Sequence, residues 1–148
     1  MRRALSVPLR PLIFAPLLLA YTAMWLAPAT VWYQPQSLII SSEGGAEPQV
    51  LITRKIRFSF DGSYTVDVRS ADTNAIACGR DGQHRYKGGL NGSYSIGLVD
   101  FAGGDAKCAS LPEGVYYAEA CWTVLAPLWG ILPRKTVCIS SNPFRVTR

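Results

Sequence analysis

The sequence predicts an all-β domain carried behind one N-terminal transmembrane helix. Three observations lead there: a long uncharged apolar run near the N-terminus, period-two alternation through most of the remaining chain, and four cysteines placed only in that alternating part. The apolar run, LIFAPLLLAYTAMWLAPATVWY at 12–33, has no charge at all. That is about the length a helix needs to span a hydrocarbon core of roughly 30 Å. Arg2, Arg3 and Arg10 precede it, so the positive-inside rule places the N-terminus in the cytoplasm and residues 34–148 outside. Trp25, Trp32 and Tyr33 stand where an aromatic belt would lie.

Two other readings of this segment stay open. Ala27-Pro28-Ala29 resembles a signal-peptidase site, which would release a secreted domain. A buried helix in a soluble cytoplasmic protein is the third. Pro16 and Pro28 oppose a straight helix, although membrane helices tolerate proline.

The net charge of +5 invites a nucleic-acid reading. Removing Arg2, Arg3 and Arg10 from the 15 basic residues leaves 12 against 10 acidic ones, so the remainder carries only +2. The excess belongs largely to the positive-inside tail, and a nucleic-acid partner is not expected.

Residues 34–48, QPQSLIISSEGGAEP, read as a short strand followed by a linker, and the domain proper as 49–148. VLITRKIRFSF sets Ile56, Phe58 and Phe60 on one face and Arg57 and Ser59 on the other. Asp61-Gly62 is a turn signal, and SYTVDVRS continues with Tyr64, Val66 and Val68 alternating, so an antiparallel hairpin is predicted. NAIAC, 74–78, extends the sheet. GRDGQHRYKGGLNG, 79–92, reads as a glycine-rich loop and SYSIGLVDF, 93–101, as a strand. AGGDAKCASLPEG turns the chain before a long strand at 115–126 and a returning one at 134–146. About seven short strands with turns at roughly ten-residue spacing suggest an immunoglobulin-like β-sandwich, with a small barrel as the alternative.

Cys78, Cys108, Cys121 and Cys138 include no CxxC pair, and His84 is the only histidine, so no metal site and no cofactor is expected. An even number of cysteines in an exported domain reads as two disulfides. If 115–126 and 134–146 form a hairpin centred on Trp129-Gly130, Cys121 and Cys138 face each other across it, which leaves Cys78 for Cys108. The hairpin tip, LAPLWGILP at 125–133, either closes the core with Leu125, Leu128, Trp129, Ile131 and Leu132 or presents an apolar patch to a membrane or protein partner.

Enzyme chemistry has little support. His84 lies near Arg80, Asp81, Arg85 and Lys87, which suggests either an anion-binding loop or an Asp81/His84 acid–base pair, against the plainer reading of a solvated loop. Asp100 and Asp105 flank Gly103-Gly104 in a faint calcium-loop pattern. Asn91-Gly92-Ser93 is a glycosylation sequon, of use only in a eukaryotic secretory pathway. No phosphate-binding glycine motif occurs.

The stretches GSYTVDVRS, LPEGVYYAEACWTV and LWGILPRKTVC and the ending SNPFRV resemble small membrane-anchored proteins encoded in tailed-phage and prophage genomes of proteobacteria. That resemblance implies a bacterial inner-membrane anchor, a periplasmic all-β domain with paired cysteines, and no catalytic residues. The expected function is a binding or structural module at the host envelope, with an envelope protein as partner. Its candidate contact residues are Leu128, Trp129, Ile131 and Leu132 of the tip and Arg80, His84, Arg85 and Lys87 of the 79–92 segment. A secreted binding protein and, further off, a small envelope hydrolase are the alternatives.

Overall fold

The structure is a computed structural model describing residues 9–43, 46–125 and 130–147, with side chains from Phe14 onward. Helix α1 spans Leu9–Leu26. It stops where Pro28 cannot continue it, and a single 3-10 turn, Ala29–Val31, leads into the sheets. Among the described residues no helix is long and apolar enough to cross a membrane.

The described residues form eight strands: β1 (Tyr33–Ser41), β2 (Gln49–Ile56), β3 (Phe60–Ser70), β4 (Ile76–Tyr86), β5 (Asn91–Gly97), β6 (Gly114–Leu125), β7 (Lys135–Ser140) and β8 (Phe144–Val146). Two one-turn helices, α2 (Leu98–Phe101) and α3 (Ala106–Ala109), join β5 to β6. The strands form two antiparallel sheets, β1-β2-β5 and β4-β3-β6-β7, with β8 also paired to β6. The chain changes sheet between β2 and β3, between β4 and β5, and between β5 and β6. The predicted all-β architecture of packed sheets is therefore present.

Alternation decides which residues meet between the sheets. Leu38, Ile40, Val50, Ile52 and Ile56 from the first sheet join Phe60, Val66, Val68, Ala118, Ala120, Trp122 and Val124 from the second in one buried cluster. At one margin Asn142 ties the sheets together: its amide oxygen accepts from Ile40 N at 2.8 Å and its amide nitrogen donates to Ile40 O at 2.9 Å. Residues 141–143 are thus the break that divides the final strand into β7 and β8.

Several sequence expectations change here. Tyr33–Ser41 is a nine-residue strand of the sandwich, paired with β2 along its length, so the short strand expected in 34–48 belongs to the domain, which begins before residue 49. Trp32 and Tyr33 are buried in its core, at 6% and 0% exposure, and are not part of a membrane belt. Both belong to the apolar run only by composition: Tyr33 opens the alternation of β1, and Trp32 ends the 3-10 turn just before it. No hairpin forms at Asp61-Gly62, which lies inside β3; the chain turns at Arg57–Ser59 and crosses to the other sheet. Phe58, expected to face inward, stands in that crossing and is exposed, while Phe60 is buried.

The 79–92 segment is mostly strand as well. Gly79–Tyr86 pairs with β3, because its glycines allow a close strand contact; a Cβ at Gly79 would collide with Val66 O. The predicted strand at 93–101 ends at Gly97, where Leu98 starts α2.

Both disulfides join the cysteines expected from the hairpin geometry: Cys78 with Cys108 and Cys121 with Cys138. Cys121 and Cys138 are direct partners in the β6–β7 register, with Cα atoms 4.0 Å apart. Cys78–Cys108 fastens β4 to α3, and both its residues are buried.

Candidate functional site

Along β2 the inward series is Val50, Ile52, Arg54, Ile56. Three members are buried aliphatics and the fourth is an arginine. A guanidinium turned toward a protein interior needs polar or π partners to offset lost hydration. Here they are aromatic faces. The Arg54 Cζ lies 4.6 Å from the ring centre of Tyr94, 5.9 Å from Tyr86 and 6.0 Å from Tyr33. Among the described residues no carboxylate lies within ion-pair distance of Arg54.

The tyrosines come from three strands. Tyr33, at the start of β1, stacks on Trp122 of β6 and meets Tyr86 of β4 edge to face at 5.5 Å. Tyr86 stacks on Phe60 at 4.8 Å. Tyr94 of β5 covers Arg54 from the solvent side, and the cleft opens between β4 and β5. It has a volume of about 330 Å³, and its lining includes Arg54, Tyr64, Gln83, His84, Tyr86, Tyr94 and Asp100. A smaller recess of about 160 Å³ shares Arg54, His84 and Tyr86 and adds Arg85, Lys87 and Leu90.

Burial dominates the chemistry of these phenols. It pushes Tyr33 up to about 12, with the Arg54 charge pulling the other way. It raises Tyr86 further and Tyr94 in the same direction, again against Arg54. The Tyr33 hydroxyl is buried and makes no hydrogen bond of ordinary geometry, even to the nearby guanidinium. At neutral pH the cleft therefore sets the Arg54 charge among neutral phenols, with Asp100 elsewhere in its lining.

The expected contact residues divide. Arg80, Gly82, His84 and Tyr86 pair with inward positions of β3, so they share the inner face. His84 lies edge to face with Tyr86 at 5.1 Å and lines the cleft. Arg80 instead donates to Gly103 O, beyond β5. Arg85 points outward, 3.9 Å from Asp61 with both side chains exposed, and Lys87 is exposed just past the end of β4. Asp81, an odd number of residues from His84, lies on the opposite face of β4, so the acid–base pair does not form.

Both Asp105 oxygens are engaged by backbone: Oδ1 accepts from Lys107 N at 3.0 Å and Oδ2 from Gly79 N at 3.2 Å. Those two bonds, first the one from Lys107, lower its pKa. They make it a cap for α3 and a clasp to β4, where the sequence pattern suggested a calcium ligand. Among the described residues no group of three or more His, Cys, Asp or Glu side chains could hold a metal.

In the hairpin tip, Leu132 is buried at 4% exposure and Ile131 is exposed at 59%. Leu128 and Trp129 lie outside the described residues. The tip sits beside the exit of α1. Tyr21 approaches Ile131 O with its hydroxyl at 3.5 Å, Lys135 donates to Trp25 O, and the Lys135 ammonium lies 6.0 Å from the Trp25 ring centre.

Arg54 and its tyrosines were not singled out from the sequence. The signal was present, since an arginine at an even spacing within Val50-x-Ile52-x-Arg54-x-Ile56 is a charge on the buried face. What the chain defines, then, is a two-sheet domain clasped by two disulfides, with an aromatic cleft around Arg54 on one side and an apolar helix at one end. Comparison with family models, curated proteins and solved structures finds no match to this chain.

Proposed function

We propose that this protein is a membrane-anchored, extracytoplasmic binding module whose N-terminal segment holds an immunoglobulin-like sandwich at the outer face of a bacterial inner membrane. The observation that carries this reading is the surface of α1. Phe14, Leu17, Leu18, Leu19, Trp25 and Leu26 are 50–77% exposed, and every side chain of the helix from Phe14 onward is exposed, without a single charge among them. A helix that is apolar all round is at home in lipid, not water. The two disulfides support an oxidising compartment.

The strand order supports the immunoglobulin-like label. Lettered in chain order, the sheets are ABE and DCFG, where the constant-type arrangement has ABED and CFG, so only the fourth strand has changed sheet. Binding is assigned to the cleft, where, among the described residues, no carboxylate lies within ion-pair distance of Arg54 and its N–H groups suit an acidic segment of an envelope protein. The resemblance to phage and prophage proteins fits an accessory role at the host envelope. Release by cleavage after Ala29 is the second reading, favoured by the position of that residue at the junction between α1 and β1.

Intact mass of the protein from a washed membrane fraction, alkylated with and without prior reduction, tests both. Retention of residues 1–29 with four thiols released only by reductant is expected. A chain starting at Thr30 in the soluble fraction would replace the anchor with secretion, and four free thiols without reductant would remove the extracytoplasmic assignment.

A further inference from the structure

One end of the sandwich gathers α1 and three loops. The start of β1, the end of β2, the start of β3, the end of β4 and the start of β7 all lie there, as the pairs Tyr33↔Ile56, Phe60↔Tyr86 and Val124↔Lys135 require. Hydrogen bonds between the connections hold it together: Arg57 N to Trp32 O at 3.0 Å and Ile56 N to Leu90 O at 3.2 Å.

Among the described residues, each loop at this end exposes one large apolar side chain: Phe58 between β2 and β3 (56%), Leu90 between β4 and β5 (54%) and Ile131 between β6 and β7 (59%). Around them stand Lys55, Arg57, Arg85, Lys87, Arg134 and Lys135, against a single acid, Asp61. The far end is the more acidic one, with Glu43, Glu47, Asp72, Asp100, Asp105 and Glu113 on or beside its connections against Lys107 and Arg145. The mild net charge of the domain therefore conceals a strong axial asymmetry.

From this arrangement, and resting on the membrane reading above, we infer that the α1 end of the sandwich is itself a lipid-docking surface for an anionic headgroup layer. Phe58, Leu90 and Ile131 dip into the interface and the surrounding lysines and arginines lie on the headgroups. The direction of α1 fixes this end toward the bilayer, and Lys135 over Trp25 marks where the helix leaves the domain. Three apolar fingers in a ring of bases match that layer in both polarity and sign. Docking also sets the orientation of the cleft, whose opening between β4 and β5 then faces sideways above the membrane plane.

The test uses the full chain reconstituted in phosphatidylcholine vesicles with and without phosphatidylglycerol, read by amide hydrogen exchange. Segments 57–59, 87–90 and 131–135 should exchange several-fold more slowly on the anionic vesicles, while 71–74 at the far end is unchanged. High salt should abolish the difference. Each base near an anionic surface is worth a factor of about five in binding. Arg57→Gln with Lys87→Gln and Arg134→Gln should therefore shift docking on the order of a hundredfold, and Phe58→Ser with Leu90→Ser and Ile131→Ser should remove the protection. Native near-ultraviolet circular dichroism confirms that both triple variants fold.

Equal exchange on both lipids, or protection at 71–74 instead, overturns the inference. An alkaline wash separates it from the anchor. A chain that washes off, yet shows the lipid-dependent protection at neutral pH, keeps the docking surface and loses the anchor. A chain that stays but shows no such protection keeps the anchor alone.

Discussion

Tyr33 and Trp122 stack between the two sheets, ring centres 4.8 Å apart and planes 28° from parallel. One residue opens β1 and the other lies near the end of β6, so the pair closes the core at the end where α1 leaves. Tyr33 is fully buried, and among the described residues its hydroxyl makes no hydrogen bond of ordinary geometry. Its ring and its oxygen should therefore act in opposite senses. Tyr33→Ala should destabilise the domain by about 3–5 kcal/mol through lost burial and a cavity. Tyr33→Phe should be neutral or stabilising by up to about 1 kcal/mol, since it removes an unsatisfied buried polar group. Urea unfolding of the two variants measures both, and a large loss in Tyr33→Phe would mean the hydroxyl is bonded.

The same phenols set the alkaline limit. Burial raises Tyr33 to about 12 and raises Tyr86 as well. A folded-state value above the unfolded one near 10 means that the contribution is fully present below pH 10. It is lost as pH climbs through the folded value, at about 1.4 kcal/mol per pH unit for each group. Stability should be flat from neutral pH to about 10 and then fall. Arg54 opposes the shifts, so Arg54→Leu should raise the tyrosine titration seen by absorbance and carry the alkaline loss on to higher pH. An unchanged alkaline limb in Arg54→Leu would show that the guanidinium is not over these rings in solution.

The two disulfides should open in a set order. Cys78 and Cys108 are buried at 3% and 4% exposure, while Cys138 is exposed on the edge strand β7. Thiol exchange needs access to sulfur. Mild reductant without denaturant, followed by alkylation and peptide mapping, should label Cys121 and Cys138 first. Removing Cys78–Cys108 should be the more damaging change, in the range of about 2–5 kcal/mol for a native bridge of a small domain. Labelling of Cys78 and Cys108 at the same rate would contradict their burial.

Asp105 should give the protein an acid limb. Its carboxylate accepts from Lys107 N and Gly79 N, and its pKa is lowered. That stabilisation is present above the unfolded carboxylate value and lost as pH falls through the lower folded one. Asp105→Asn should lower the melting temperature at pH 7 and flatten its dependence on pH in the acid range. A parallel downward shift at every pH would point to packing alone.

Gly79 should not accept a side chain. A Cβ there would collide with Val66 O and meet Asp67 Cα at 3.1 Å, both backbone atoms of β3. Gly79→Ala should destabilise by about 1–3 kcal/mol as β4 is pushed off its partner. Thermal melting decides it, and an unaffected variant would mean that β4 pairs less closely with β3 than this geometry requires.

Much of the fold was legible along the chain because its signals are local. Alternation needs only neighbouring residues, so the long strand at β6, its returning partner and the facing of Cys121 and Cys138 could be read directly. Once that pair was placed, Cys78 and Cys108 had only each other. The all-β class and the separation of an apolar N-terminal segment from an alternating domain are likewise properties of composition and period.

The rest depended on which surfaces meet. Asp61-Gly62 has the composition of a hairpin turn, yet burial of Phe60 against Tyr33 and Tyr86 keeps it inside β3 and moves the bend to Arg57–Ser59. Trp32 and Tyr33 look like a membrane belt until β1 pairs with β2, which stacks Tyr33 on Trp122 and leaves both buried. His84 and Asp81 are close in sequence and separated by the sheet, whereas Arg54, Tyr33, Tyr86 and Tyr94 are scattered in sequence and gathered by it. Alternation, thiols and an apolar helix are each written in adjacent residues, so the chain alone specifies them. The cleft and the basic end exist only where separate strands and loops arrive at one place, so it took the packing of the two sheets to assemble them.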